Sequence, residues 1–399
     1  MLFSLGIIFI VGLSAAEIIR RLKLPRIIGM LAAGIVIGPY VLDLIDPTVL
    51  GISSELRQIA LIIILIKAGL SLNLSDLKKV GRPAVMMSFV PASFEILGYV
   101  CLAPMLFDIS RSEAAVMGAV LAAVSPAVVV PRMVKLMEEK RGTEKSIPQM
   151  ILAGASCDDI FVITLFSAFA AMAQGESADI SGMLNVPVSI ILGVISGAVC
   201  GYLLYLLFDI SRKKGQDIGN TVKLIVLLSV AFVLMYTETA LKGYVAFSGL
   251  LAVTAMACTV KLKTDESVWG RLGASYGQLW IAAEVLLFVL VGAAVDIRYT
   301  LAAGIPAVIM IFAALVFRFV GVLICLAGTK LTAKERLFCV IAYLPKATVQ
   351  AAMGSVPLAM GLPCGNIVLS VSVLGIIITA PLGAIGIDCT YKKLLEDNG

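Results

Sequence analysis

Apolar segments long enough to cross a bilayer recur along the whole chain, each closed by a short polar or basic stretch. A membrane core takes about 20 apolar residues wound as a helix. Thirteen segments meet that requirement, at roughly 2–19, 27–42, 56–74, 83–107, 114–136, 147–173, 184–208, 222–240, 244–260, 275–295, 301–328, 335–360 and 365–388. Lipid leaves no water to satisfy backbone groups, so such segments are read as helices. The pattern predicts an all-α polytopic membrane protein with 13 transmembrane helices.

Composition agrees. Sixty per cent of the 399 residues are hydrophobic and 14% are charged, against about 25% charged in a soluble domain. The net charge of +5 needs no nucleic-acid partner, because the basic residues fall in short loops. The loops and span ends placed inside carry 24 of the 31 Lys/Arg. Those placed outside carry only Arg57, Arg111, Lys242 and Arg298, and Lys67, Arg318 and Lys346 lie within spans. By the positive-inside rule the N-terminus is outside and the C-terminus cytoplasmic. Met1 to Ile19 has no basic n-region, so it reads as an uncleaved first span. The expected location is a bacterial inner (plasma) membrane. The eight cysteines include no CxxC pair and read as small packing residues. There is no histidine, so a proton relay must use Asp, Glu or Lys.

The halves echo each other. Ile28-Gly29-Met30-Leu31-Ala32 resembles Ser248-Gly249-Leu250-Leu251-Ala252, 220 residues on. Ala68-Gly69-Leu70 resembles Val291-Gly292-Ala293 at an offset of 223, and Ser125-Pro126-Ala127 resembles Leu344-Pro345-Lys346 at 219. Each match relates spans seven apart, so the halves cross in opposite senses: an inverted-topology repeat. Span 5 contains Pro126 and Pro131, and span 12 contains Pro345 and Pro357. Proline removes a donor and clashes with the preceding turn. Prolines at matching places in both halves predict two discontinuous helices that cross at the midplane. Ser125, Pro126, Pro345, Lys346 and Thr348 are the residues expected there. Lys346 is read as compensating the carbonyl end of a half-helix.

Asp158 and Asp159 stand side by side in the apolar run Ile147–Ala173. A carboxylate within a bilayer is costly and marks an ion or proton site. Burial and mutual repulsion both work against two negative charges, so such a pair can hold either a proton or a cation. Neighbouring residues on a helix point about 100° apart, so one carboxylate coordinates while the other has an adjacent role. Glu95 and Arg318 lie 223 residues apart, the repeat offset. A buried arginine needs a partner; Glu95 is the first candidate and Asp158 the second. Lys67 is read as snorkelling, Glu17 as interfacial beside Arg20 and Arg21, and Glu284 finds no place. Gly193, Gly197 and Gly201 form a close-packing face on span 7, read as internal packing rather than a dimer contact.

PRIIGMLAAGIVIGP (25–39), KAGLSLNL (67–74), AVSPAVVVPRM (123–133), GASCDDI (154–160) and LPKATVQAA (344–352) together resemble the monovalent cation:proton antiporter superfamily, most of all its NHA sodium/proton exchanger branch. The resemblance implies the NhaA-like antiporter fold. It implies core transport halves at 81–175 (spans 4–6) and 301–399 (spans 11–13), and panel or dimerisation halves at 1–80 (spans 1–3) and 216–300 (spans 8–10). A linker span 7 occupies 176–215. It implies a homodimer, an elevator-like alternating-access cycle, and Asp159 as main Na⁺ ligand with Asp158 as accessory. Related electrogenic antiporters often carry lysine where this chain has Arg318.

The expected function is Na⁺(Li⁺)/H⁺ antiport for pH homeostasis, electroneutral, with no cofactor beyond the transported Na⁺ or Li⁺ and H⁺. Small monovalent cations, protons, lipid and a second copy are the expected partners. The alternatives are a potassium/proton antiporter or cation efflux channel, and a sodium-coupled organic anion symporter. The sequence shows no nucleotide-binding region of the kind such efflux systems carry. An enzyme is not expected, for want of histidine and of a metal-ligand cluster.

Overall fold

A computed structural model describes residues 1–22, 24–71, 81–174, 180–214, 218–241, 245, 247–296 and 304–396. Among these residues the chain forms eighteen helices. They are α1 (Leu2–Arg21), α2 (Arg26–Ile37), α3 (Pro47–Gly51), α4 (Ser53–Ser71), α5 (Arg82–Met87), α6 (Val90–Phe107), α7 (Arg111–Leu121), α8 (Pro126–Glu138) and α9 (Ile147–Ala173). The rest are α10 (Ile180–Lys213), α11 (Asn220–Leu241), α12 (Gly249–Lys263), α13 (Glu266–Ala293), α14 (Gly304–Cys325), α15 (Ala333–Ala342), α16 (Thr348–Gly354), α17 (Val356–Ala359) and α18 (Gly365–Leu394). Eight of the described helical segments are long and apolar enough to cross a membrane.

Local chemistry sets the boundaries. α2 stops at Ile37, short of the expected residue 42, because Gly38 is extended and Pro39 follows. The expected fourth span is not continuous. Pro91 sits in the first turn of α6, and the chain kinks at Ser88 and Phe89 between α5 and α6. α13 begins at Glu266, nine residues before the expected start. Capping boxes open α7 at Ser110/Glu113 and α15 at Thr332/Glu335. Glu17 pairs with Arg20 at 2.7 Å and with Arg21 at 3.4 Å on an exposed face.

The chain packs into two compact units. The first comprises Met1–Glu55, Asn73–Ala173 and Val285–Gly399. In it α6 lies against α14 and α7, α9 against α7 and α8, and α18 against α15, α16 and α17. At one end, Lys145 Nζ reaches Glu335 at 2.9 Å and Glu396 at 3.3 Å, and Arg132 grips Asp388 at 3.0 Å. These two carboxylates hold the Lys145 ammonium above the ordinary lysine range, hydrogen bonding to Glu335 being the largest cause.

The second unit comprises Leu56–Leu72 and Gln174–Glu284. Here α10 and α11 pack on α12. Gly193, Gly197 and Gly201 of α10 let its backbone lie against the carbonyls of Ser248, Ala252 and Met256 of α12. The glycine stripe is therefore internal packing. Lys67 is half-buried, 5.9 Å from the ring centroid of Trp280, and attracted by Glu284.

The repeat offset recurs in the packing. Gly69 of α4 sits against Thr254 and Ala257 of α12, and Gly292 of α13 sits against Leu31 and Gly34 of α2. Each glycine lets its helix approach the counterpart of the other's partner.

A methyl group at Gly197 would overlap the Ala252 carbonyl, whereas Gly273 has open space. Overpacking costs about 1–3 kcal/mol. Gly197→Ala should therefore lower the thermal midpoint in detergent, while Gly273→Ala leaves it unchanged or raises it slightly. Equal melting of Gly197→Ala and the parent protein would refute the tight contact.

Candidate functional site

Two interruptions organise the first unit. α7 ends at Leu121 and α8 starts at Pro126; α15 ends at Ala342 and α16 starts at Thr348. A helix end leaves its last carbonyls unpaired and carries partial negative charge. Buried at the end of α7, these carbonyls take donors from elsewhere in the chain. Leu121 O accepts from Lys346 Nζ at 2.5 Å and from Gln350 Nε2 at 3.3 Å. Ala122 O accepts from the Arg318 guanidinium, and Ala123 O from Gln350 Nε2 at 2.9 Å. The Ser125 N–H donates to Pro345 O at 2.8 Å and joins the two interruptions directly. The Lys346 N–H donates to Thr379 Oγ1 of α18 at 3.0 Å. Gly383, one turn further along α18, makes room for the Pro345 ring.

The charges form a closed network. Glu95, Asp158 and Arg318 are fully buried and Lys346 is 1% exposed. Arg318 Nη1 meets Glu95 Oε2 at 2.5 Å, and Lys346 Nζ meets Glu95 Oε1 at 2.6 Å. Arg318 Nη2 lies 3.3 Å from Asp158 Oδ2, and its Nε donates to Tyr343 O at 2.8 Å. Its guanidinium also stands 5.6 Å from the Tyr343 ring centroid. Asp158 Oδ2 accepts the Val124 N–H at 2.8 Å. Two anions and two cations cancel. Asp159 is the group left over: it is buried, and among the described residues it has no ion pair. Asp158 Oδ1, Asp159 Oδ1, Ser125 Oγ, Thr348 Oγ1 and Gln350 Oε1 are buried oxygens without a protein partner.

The structure thus brings Glu95, Arg318, Lys346 and Asp158 into one cluster and ties Ser125 to Pro345. Arg318 touches both candidate partners rather than choosing between them. Lys346 reaches a helix-terminal carbonyl and also pairs with Glu95, a contact that spacing did not reveal because the two residues lie on different elements. Pro126 opens α8, and Thr348 opens α16 without making a side-chain cap. Lys67 and Glu284 lie in the other unit, outside this network. Sequence reasoning missed Gln350, Thr379 and Tyr343. Gln350 carried a signal: it is a polar residue in an apolar run, one helical turn beyond Lys346.

Removing one member of a buried ion pair typically costs about 3–5 kcal/mol, because the other charge stays behind. Glu95→Gln leaves two cations facing each other and should lower thermal stability as much as Arg318→Gln. The double variant should lose less than the sum of the two by more than about 1 kcal/mol. Strictly additive losses in thermal melts would break the assigned pair.

Comparisons with known proteins follow the same lines. Residues 5–393 match the family described as sodium/hydrogen exchanger, transmembrane. Human sodium/hydrogen exchanger 9B2 is 32% identical over 421 residues, covering 99% of this chain and 75% of that protein. The Xenopus tropicalis exchanger 9B2 is 32% identical over 400 residues, covering 95% and 72%. The sodium proton antiporter MjNhaP1 of Methanocaldococcus jannaschii, solved at pH 8, superposes with a TM-score of 0.82 over 98% of this chain and 97% of its own, at 22% identity. That structural likeness establishes the fold. With a full-length family match and relatives above 30% identity, the chain belongs to the sodium/hydrogen exchangers of the monovalent cation:proton antiporter superfamily, and is an integral membrane cation antiporter.

Proposed function

We propose that the chain exchanges one Na⁺ or Li⁺ for one H⁺ at Asp159, by alternating access and without net charge movement. The observation that carries this reading is the charge count of the buried cluster. Glu95 and Asp158 are matched by Arg318 and Lys346, so the ionised Asp159 is the single uncompensated charge. A buried unpaired charge is strongly disfavoured. Binding of one monovalent cation or one proton restores neutrality, and the two are then alternatives at one place. An occupied site can pass through the low-dielectric interior; an empty one, carrying a net negative charge, cannot. That difference couples the two fluxes.

Asp158 is held by Arg318 and Val124 and serves as accessory ligand. Its free Oδ1, with Ser125 Oγ and Thr348 Oγ1, supplies buried oxygens of the kind a dehydrating Na⁺ needs. Arginine keeps its proton throughout the working range, so Arg318 carries no exchanged proton. On the same reading the chain has 13 spans in an inverted repeat, with crossing helices at 122–125 and 343–347. Its N-terminus is outside and its C-terminus cytoplasmic, in a bacterial inner membrane. Residues 81–175 and 301–399 form the moving core of an elevator. Residues 1–80 and 216–300 form the panel of a homodimer, joined through 176–215.

Asp159→Asn should abolish Na⁺-dependent proton flux in proteoliposomes, and Asp158→Asn should abolish it or cut it severely. Robust flux in Asp159→Asn protein would remove the ion-site assignment. Stoichiometry is read by imposing a potassium diffusion potential with valinomycin. The Na⁺/H⁺ reversal point should not move with that potential; a clear dependence would make Asp158 or Lys346 a second proton carrier.

A further inference from the structure

We propose that Gln350 is a positioning residue for cation binding, acting on Asp158 through the peptide unit between Ala123 and Val124; this rests on the ion-site reading above. Gln350 is fully buried in α16. Its Nε2 donates to Ala123 O at 2.9 Å and to Leu121 O at 3.3 Å. Two carbonyls face this end of the side chain, so it must be the NH₂ end, since an amide oxygen has no proton to donate to them. Ala123 O and the Val124 N–H belong to one trans peptide plane and point in opposite directions. The Val124 N–H lies 2.8 Å from Asp158 Oδ2. The chain of bonds is therefore Gln350 amide to Ala123 carbonyl, through the peptide, to Val124 N–H and Asp158 carboxylate.

Among the described residues, the geometry gives Gln350 a task that no neighbour duplicates. Leu121 O has Lys346 as a second donor, and Ala122 O has Arg318. Ala123 lies outside any helix, and Gln350 is the donor to its carbonyl. If that bond is lost, the 123–124 plane is free to turn, and turning it swings the Val124 N–H off Asp158. A donated hydrogen bond also polarises the peptide and strengthens the N–H as a donor at its far side. Gln350 thus fixes where Asp158 stands and how firmly its Oδ2 is held, which leaves Oδ1 as the ligand edge. The residue touches neither ion nor proton in this role, so its signature is affinity and not turnover.

The test is Na⁺-driven proton exchange in proteoliposomes by the full chain, with the apparent KM and maximal rate measured separately. Gln350→Met keeps the bulk of the side chain and removes the donor. Its apparent KM for Na⁺ should rise about tenfold, equivalent to about 1.4 kcal/mol, with the maximal rate within about twofold of the parent. Gln350→Asn retains an amide on a shorter stem and should fall between the two. An unchanged KM in both variants overturns the proposal. So does a fall in maximal rate at constant KM, which is the mark of a merely structural role. Should Gln350→Met not fold, Gln350→Asn decides alone by the same criteria; collapse of both in gel filtration makes Gln350 a folding residue and also overturns it. Failure of the exchange reading itself looks different: the parent protein then shows no Na⁺-driven proton flux at all.

Discussion

Charge neutrality in a medium that cannot solvate ions is the constraint on which the first unit depends. Each buried ion must be matched by protein, and the matching here is local. Glu95 offers one carboxylate oxygen to Arg318 and the other to Lys346, and Arg318 turns its remaining edge to Asp158. Such a network contributes little net stability over an apolar core of the same shape. Its value is that it leaves a defined remainder. One carboxylate, Asp159, stands outside the matched set among the described residues, and on the proposed function that remainder is what a transported cation or proton completes.

The broken helices follow from the same economy. An unbroken helix has no free carbonyls at its middle and no reason to recruit a cation there. Pro126 and the extended Ser125 before it keep α7 from continuing inside the protein, and three consecutive carbonyls at Leu121, Ala122 and Ala123 then need donors. Lys346, Arg318 and Gln350 provide them, all from the second half of the chain. The same two cations serve Glu95 and the carbonyl end together. Breaking the helix and burying the cations are thus one structural decision. The Ser125 to Pro345 hydrogen bond fastens the two breaks to each other.

How much of this was legible in the sequence depends on the range of the cause. Apolar length, prolines and acids inside apolar runs are local signals, and they anticipate the all-helical architecture, the two interruptions and the buried acids. The Glu95–Arg318 pair was found through the repeat offset, a long-range signal that happens to be written in the numbering. Lys346 with Glu95 was not found, because no periodicity links residues on helices that meet only in the folded chain. Gln350 was passed over for a different reason: a neutral amide carries no charge to explain, although in an apolar run its hydrogen-bonding groups need partners as much as a charge does. The break at Ser88 and Phe89 was missed although Pro91 was in view, because an apolar run on both sides read as one span.

The identity of residue 318 follows from what its side chain must reach. A lysine there would supply a charge to Glu95 or to Asp158, but its ammonium is a compact point with three donors. The observed position asks for more. One side chain must reach Tyr343 O, Ala122 O, Glu95 Oε2 and Asp158 Oδ2, which lie on four different segments. Only the planar guanidinium, with five donors in fixed directions, spans them all. The residue that braces both interruptions is for that reason the residue that cannot release a proton. Geometry at the two interruptions thus fits the proposed one-for-one exchange: Arg318, which holds them together, keeps its proton, and Asp159 is the buried carboxylate left without an ion pair among the described residues.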